Sequence, residues 1–160
     1  MSLLQQAEVI YVYGIGASFI IAEDAAQKWL RLGKKMYMLF LTVIYWRQLW
    51  LRSQRTLSSG GISYSGETGE VIQLTKRAKE HGIKTISLTR PGNNKLSQLA
   101  DVSLFTSRAP EATLRSAATS SRFAQLFVLD IVFSVYASAQ HDLTVEQLAK
   151  TRQMIEVLND

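Results

Sequence analysis

The segment Gly61–Glu70, GISYSGETGE, sets three hydroxyl side chains, Ser63, Ser65 and Thr68, around Gly66, directly ahead of an apolar-periodic run. The periodicity predicts a helix starting near Glu67 or Thr68. The first backbone N–H groups of a helix have no partners within it. Such an end holds an anion, most often a phosphate. The competing reading of these ten residues is a serine-rich turn with an ordinary helix cap. The flanking sequence has to decide between them.

Upstream, Val9–Tyr13 is rich in β-branched and aromatic residues and runs into GIGAS, Gly14–Ser18. That is a strand followed by a tight turn. Helical spacing follows, with Ile20, Ala25, Trp29 and Leu32 able to share a face and Gly33 as the stop. KKMYMLFL reads as a second strand, whereas TVIYWRQLWLRSQRTLSSG fits no element well. Downstream, TGEVIQLTKRAKEHG is an amphipathic helix with Val71, Leu74 and Ala78 on one side and Gly82 after it. KTISLT and VSLFTS read as strands, with the short helix NKLSQLAD between them. SSRFAQLFVLDIVFSVYASAQ reads as a long buried helix, too short in its apolar run to span a bilayer. The last helix, LTVEQLAKTRQMIEVL, is capped by Thr144 with Gln147 in the reciprocal position. Strands alternating with helices predict an α/β sandwich with a parallel sheet covered on both faces. Ligands of such folds sit at the carboxyl ends of the strands. Both glycine–serine stretches, Gly14–Ser18 and Ser63–Thr68, fall at such ends, which favours the anion reading.

Composition narrows the chemistry. The 160 residues, 47% of them apolar, suffice for one domain with a sizeable core. The chain has no cysteine, which excludes disulfides, thiolate catalysis and thiolate metal sites. No secretory signal opens the chain, and a cytoplasmic protein with no membrane partner is expected. The net charge of +5 is local: Ala25–Gly66 holds seven basic residues and no acid, leaving 11 basic against 13 acidic elsewhere. No helix-turn-helix, zinc finger or aromatic RNA-binding motif accompanies that stretch.

Other site chemistries find little support. GIGAS has Phe19 where a dinucleotide fingerprint needs its third glycine, and no Walker A loop occurs. His81 and His141 each follow a helix, where a cation is favoured, and neither has a ligand cluster. No metal, no cofactor and no catalytic residue are therefore expected. Glu111 and Arg115, ahead of the long helix, form either a solvated pair or contacts to a ligand's hydroxyl and charge. Arg122 and Gln125 lie a turn apart on an otherwise apolar helix, and burying such groups without partners is costly.

The order YVYGIGAS, ISYSGET, TISLT, LADVSLFTS and SSRFAQLFVLD resembles the sugar isomerase (SIS) domain, and more narrowly the effector half of RpiR-type bacterial transcription regulators. The resemblance covers almost the whole chain outside residues 38–58 and implies a single domain over 1–160 with its core at about 8–140. It implies a three-layer sandwich, a five-stranded parallel sheet flanked by helices. It also implies a homodimer that binds a phosphorylated sugar or amino sugar. Ser63, Ser65 and Thr68 would hold the phosphate with the backbone of Tyr64 and Gly66. Gly16 and Ser18 would face the sugar, Glu111 would do so from the rim or the partner side, and Arg115 is a further candidate.

The sequence departs from the family at two places. The regulators carry a helix-turn-helix domain ahead of the SIS domain, whereas only eight residues precede the first strand here. Specific DNA binding is expected only through a separate domain that this chain lacks. Residues 39–57 replace a strand end, an SDSH-type loop and an apolar helix. One permitted coding of FLTVIYWRQLWL, read two bases later, spells SDSHLLATIVA. A pair of compensating frameshifts would account for the clustered tryptophans and arginines together. Two rival functions remain: an aldose–ketose phosphate isomerase with Glu111 as base, and a structural or dimerisation module whose loops are mere turns.

Overall fold

The computed structural model describes residues 1–39, 57–110 and 118–158. A short helix α1 (Ser2–Gln6) precedes β1 (Val9–Gly14), α2 (Ala17–Arg31) and β2 (Lys35–Met38). After residues 40–56 come β3 (Leu57–Ile62), α3 (Gly69–Glu80), β4 (Lys84–Thr89), α4 (Lys95–Leu99) and β5 (Val102–Phe105). The chain closes with α5 (Ser120–Ala139) and α6 (His141–Leu158). All strands pair in parallel, in the order β2-β1-β3-β4-β5. The expected five-stranded parallel sheet between helices is therefore present.

Each face of the sheet has its own core. On one side Ile10, Val12, Met36, Ile62 and Leu88 meet α2 and α5. On the other Val9, Tyr11, Tyr13 and Leu57 meet Val71, Leu74 and Ala78 of α3 and Leu96 of α4. Every residue of β1 is buried, as a strand covered on both faces requires. α2 buries Ile21, Ala22, Ala25, Ala26 and Trp29, so its inward stripe runs through Ile21, while Ile20 points outward at 47% exposure. The Trp29 ring stands edge-on to Phe133, with centroids 5.2 Å apart, and locks α2 against α5.

β3, LSSGGI, is the central strand despite a composition that reads as turn. Pairing on both sides and close packing override its weak propensity. The Tyr13 hydroxyl bonds Ser59 at 2.8 Å and Thr75 at 2.9 Å, tying β1, β3 and α3 together inside the core. Burial raises the Tyr13 phenol above its usual range, even though both hydroxyls favour the charged form.

Two expectations for the C-terminal helices change. α5 is not a buried helix. Leu129, Tyr136, Gln125 and Ser121 turn inward, but Phe123, Phe127, Ile131 and Val135 form an exposed stripe four residues apart. Its 20 residues are long and apolar enough to cross a membrane by those criteria alone. Its remaining face packs on α2, where Lys28 reaches Asp130 and Asp24. α6 begins at His141, ahead of the expected cap. Thr144 donates its hydroxyl to the Ala137 carbonyl at 3.1 Å, and Gln147 packs against Gly33.

Candidate functional site

Strand order places the site. β1 and β3 are neighbours, yet β1 feeds α2 on one face and β3 feeds α3 on the other. A crevice opens where successive connections leave in opposite directions. The register aligns Gly14 with Ile62 and Ile62 with Leu88, so the loops after β1, β3 and β4 emerge level with one another.

The loop after β1 is tight. A Cβ on Gly14 would stand 2.4 Å from the Ser18 carbonyl oxygen, so the strand turns into α2 only with glycine there. Gly16 adopts φ 58°, open to a side chain in space but not in conformation. Ser18 is buried, and its hydroxyl shares two contacts with the Gln125 amide, at 3.2 and 3.4 Å. Gln125, noted in the sequence only as a polar group on an apolar helix, thus fixes Ser18. Its spacing pointed to a buried partner but not to which one.

The loop after β3 gathers the three predicted hydroxyls. Ser63 Oγ lies 2.8 Å from Thr68 Oγ1 and 3.4 Å from Ser65 Oγ. The Gly66 N–H donates to Ser63 Oγ and the Glu67 N–H to Ser65 Oγ, both at 3.2 Å. The Ser63 N–H donates to the Leu88 carbonyl, anchoring the loop to β4. Ser63 is buried and Ser65 exposed, so the cluster runs from core to surface. Thr68 is the N-cap of α3, whose first residue, Gly69, lies one or two residues after the expected start, and the Thr68 hydroxyl does not cap the helix. The first-turn N–H groups at Gly69, Glu70 and Val71 therefore open beside three hydroxyls with no side-chain cap. Gly66 has φ 70°, and a Cβ there would fall 2.0 Å from Asn94 Oδ1. Both conformation and space require glycine.

Tyr64, between the two serines, turns to the segment after β5: its hydroxyl accepts from the Ala109 N–H at 2.8 Å and approaches the Ala109 carbonyl at 3.2 Å. Glu67 faces away from the hydroxyls and pairs with the Lys95 ammonium at 2.9 Å and the Lys95 N–H at 3.1 Å. The Lys95 ammonium, then its N–H, hold the Glu67 carboxyl below the usual carboxylate range. His81 lies at the far end of α3, with its ring against the Arg77 carbonyl. Glu111 and Arg115 lie outside the described residues, as does the anomalous segment apart from its ends. Among the described residues no group of three His, Cys, Asp or Glu side chains could hold a metal. The local basicity is partly structural, since Lys34 donates to the carbonyls of Gln5 and Ala7 and Lys28 is held by two carboxylates.

A parallel α/β sheet whose loops gather at a switch point defines a class of doubly wound folds with a crevice at the carboxyl ends of the strands. Within that class the chain belongs to the SIS-domain family, which it matches over residues 3–135. It is 44% identical over 156 residues to the uncharacterised HTH-type transcriptional regulator YbbH of Bacillus subtilis, covering 98% of this chain and 55% of that one. The chain spans about half the length of the curated relatives it matches. Among solved structures, Vibrio vulnificus NanR complexed with ManNAc-6P superposes with a TM-score of 0.86 at 28% identity, over 98% of this chain and 58% of that one. The sugar isomerase domain of an RpiR transcription factor from Sphaerobacter thermophilus shares the fold, with a TM-score of 0.79 at 16% identity over 95% of this chain and 82% of that one. The chain is thus an SIS domain related to HTH-type transcriptional regulators.

Proposed function

We propose that this domain is the non-catalytic effector domain of an RpiR-type regulator and binds a phosphorylated sugar or amino sugar. The observation that carries the reading is the convergence of Ser63, Ser65 and Thr68 on the uncapped start of α3. Hydroxyls that otherwise bond one another, together with aligned N–H groups, can turn to a phosphate as charge-assisted donors. The ManNAc-6P complex of a relative with the same architecture supports the reading. Ser18 and Gly16 form the floor of the crevice beside the sugar, with Ser18 held by Gln125. Tyr64 and Gly66 contribute backbone groups, and the family resemblance adds Glu111 as a proposed sugar contact, with Arg115 as a further candidate. DNA contact would belong to a separate helix-turn-helix domain of the regulator.

Calorimetry with a panel of sugar phosphates and their unphosphorylated counterparts tests this. Ser65→Ala should weaken phosphosugar binding by about 1.5–3 kcal/mol, the scale of a bond to a charged group. Thr68→Val should weaken it less, and His81→Ala should leave it unchanged. Equal binding of an unphosphorylated sugar, with no loss in Ser65→Ala, would sink the proposal. Incubation with aldose or ketose phosphates should yield no interconversion, in contrast to an isomerase.

The exposed stripe Phe123, Phe127, Ile131 and Val135 supports a homodimer through α5. Phe127→Glu should convert the dimer to a monomer in sedimentation. An unchanged mass would place the contact elsewhere.

A further inference from the structure

A second polar cleft, of about 360 Å³, lies on the Tyr64 side of the loop after β3. Its walls are Tyr64, the turn Arg90–Asn94, and Arg108 with Ala109. Two arginines thus line it from separate loops, one after β4 and one after β5. Neither guanidinium hydrogen-bonds nor ion-pairs with any other described residue. Among the described residues, the charge of Arg90 reaches Glu67, which is already paired with Lys95 at 2.9 Å. Among the described residues, no carboxylate is paired with either guanidinium.

The scaffold around the two arginines is tied by hydrogen bonds. The Arg90 N–H donates to the Tyr64 carbonyl at 2.8 Å. The buried Asn94 amide donates to Thr89 Oγ1 and to the Gly92 carbonyl, and its oxygen accepts from the Ser97 N–H. The Tyr64 hydroxyl pins Ala109, and with it the neighbouring Arg108. Residues on a fixed frame lose less freedom on meeting a ligand. Guanidinium forks also match the geometry of phosphate and carboxylate oxygens.

We propose that the Arg90–Arg108 cleft is a second anion-binding site, separate from the Ser63–Thr68 loop, which takes the phosphate or carboxylate group of a small metabolite. Tyr64 forms the wall common to both, since its neighbours Ser63 and Ser65 face the first site while its ring faces the second. The inference does not depend on the sugar-phosphate reading.

Amide NMR on the full chain, titrated separately with inorganic phosphate and with malonate at constant ionic strength, tests it. Saturable shifts at Gly92, Asn93 and Arg108 are expected. They should weaken about tenfold or more in Arg90→Gln/Arg108→Gln and persist in Ser65→Ala. Arg31→Gln, on the exposed face of α2, controls for loss of net charge. Thermal melts confirm that each variant folds. Saturation by phosphate alone assigns a phosphate group, and saturation by both probes assigns oxyanions generally. Shifts that stay linear, that vanish in Ser65→Ala, or that survive in the double arginine variant overturn the proposal.

Discussion

The two ends of the parallel sheet use their polar groups differently. At the amino end, polar groups close on the fold itself. Asp101 accepts from the Thr85 N–H and hydroxyl, both at 2.8 Å, and pairs with Lys79 at 3.1 Å. Lys34 ties down the carbonyls of Gln5 and Ala7, and Ser58 reaches the Leu3 carbonyl. At the carboxyl end, serines and a threonine bond mainly one another, a helix start lacks a side-chain cap, and two guanidinium groups have no hydrogen-bond or ion-pair partner among the described residues. Polar groups matched within the chain add stability, whereas groups matched only to one another can turn to a ligand. Under the proposed function, one sheet separates stability from recognition along the strand direction.

Substitutions at the two ends should separate the same way. The largest effect on stability is expected where the recognition end touches the core. Gly66→Ala forces an L-residue into φ 70° and drives its Cβ into Asn94. Denaturant unfolding should show a loss of about 2–4 kcal/mol. A loss under 1 kcal/mol (about the background for a point change) would mean that the loop and the Asn94 turn separate easily. Next comes Asp101→Ala, which strips a buried N–H and hydroxyl at Thr85 of their acceptor and should cost about 1–3 kcal/mol. Binding at the opposite end should be unaffected.

The same carboxylate gives a pH signature. Desolvation pushes the Asp101 carboxyl up, but the bonds from Thr85 and the Lys79 charge together outweigh it and hold the group below its usual range. Its folded pKa lies below the unfolded one. Its contribution is therefore fully present above the ordinary carboxylate range and is lost as pH falls through the depressed value. The melting temperature of the parent should fall more steeply in acid than that of Asp101→Ala. Parallel curves would show that Asp101 is not a source of the acid sensitivity. The smallest effect belongs to Ser65→Ala, whose unfolding free energy without ligand should change by no more than about 0.5 kcal/mol. A larger loss would move Ser65 from recognition to structure.

The contrast was only half legible in the sequence. β1, α3, β4 and the Ser63–Thr68 loop carried strong local signals: β-branched runs, a clean helical period with Gly82 at its end, and hydroxyls about one glycine. The central strand did not, because Leu57–Ile62 is built of serine and glycine and owes its form to neighbours remote in sequence. The Ile20-for-Ile21 slip in α2 and the exposed stripe of α5 share one cause. Apolar periodicity marks a face without saying what covers it. The Arg90–Arg108 cleft escaped notice because its two cations lie 18 positions apart and meet only through the Tyr64–Ala109 bridge.

The placement of β3 also has a kinetic consequence. It pairs with β1 across 48 positions (Val9 with Leu57) and with β4 across 26 (Ser58 with Lys84), so its docking must follow closure of long loops. Contacts of that separation slow folding. Until β3 docks, β1 and β4 each present an unpaired, apolar edge to other chains. Refolding from denaturant should therefore be slow, and its yield should fall as protein concentration rises, even for a native state that is stable once assembled.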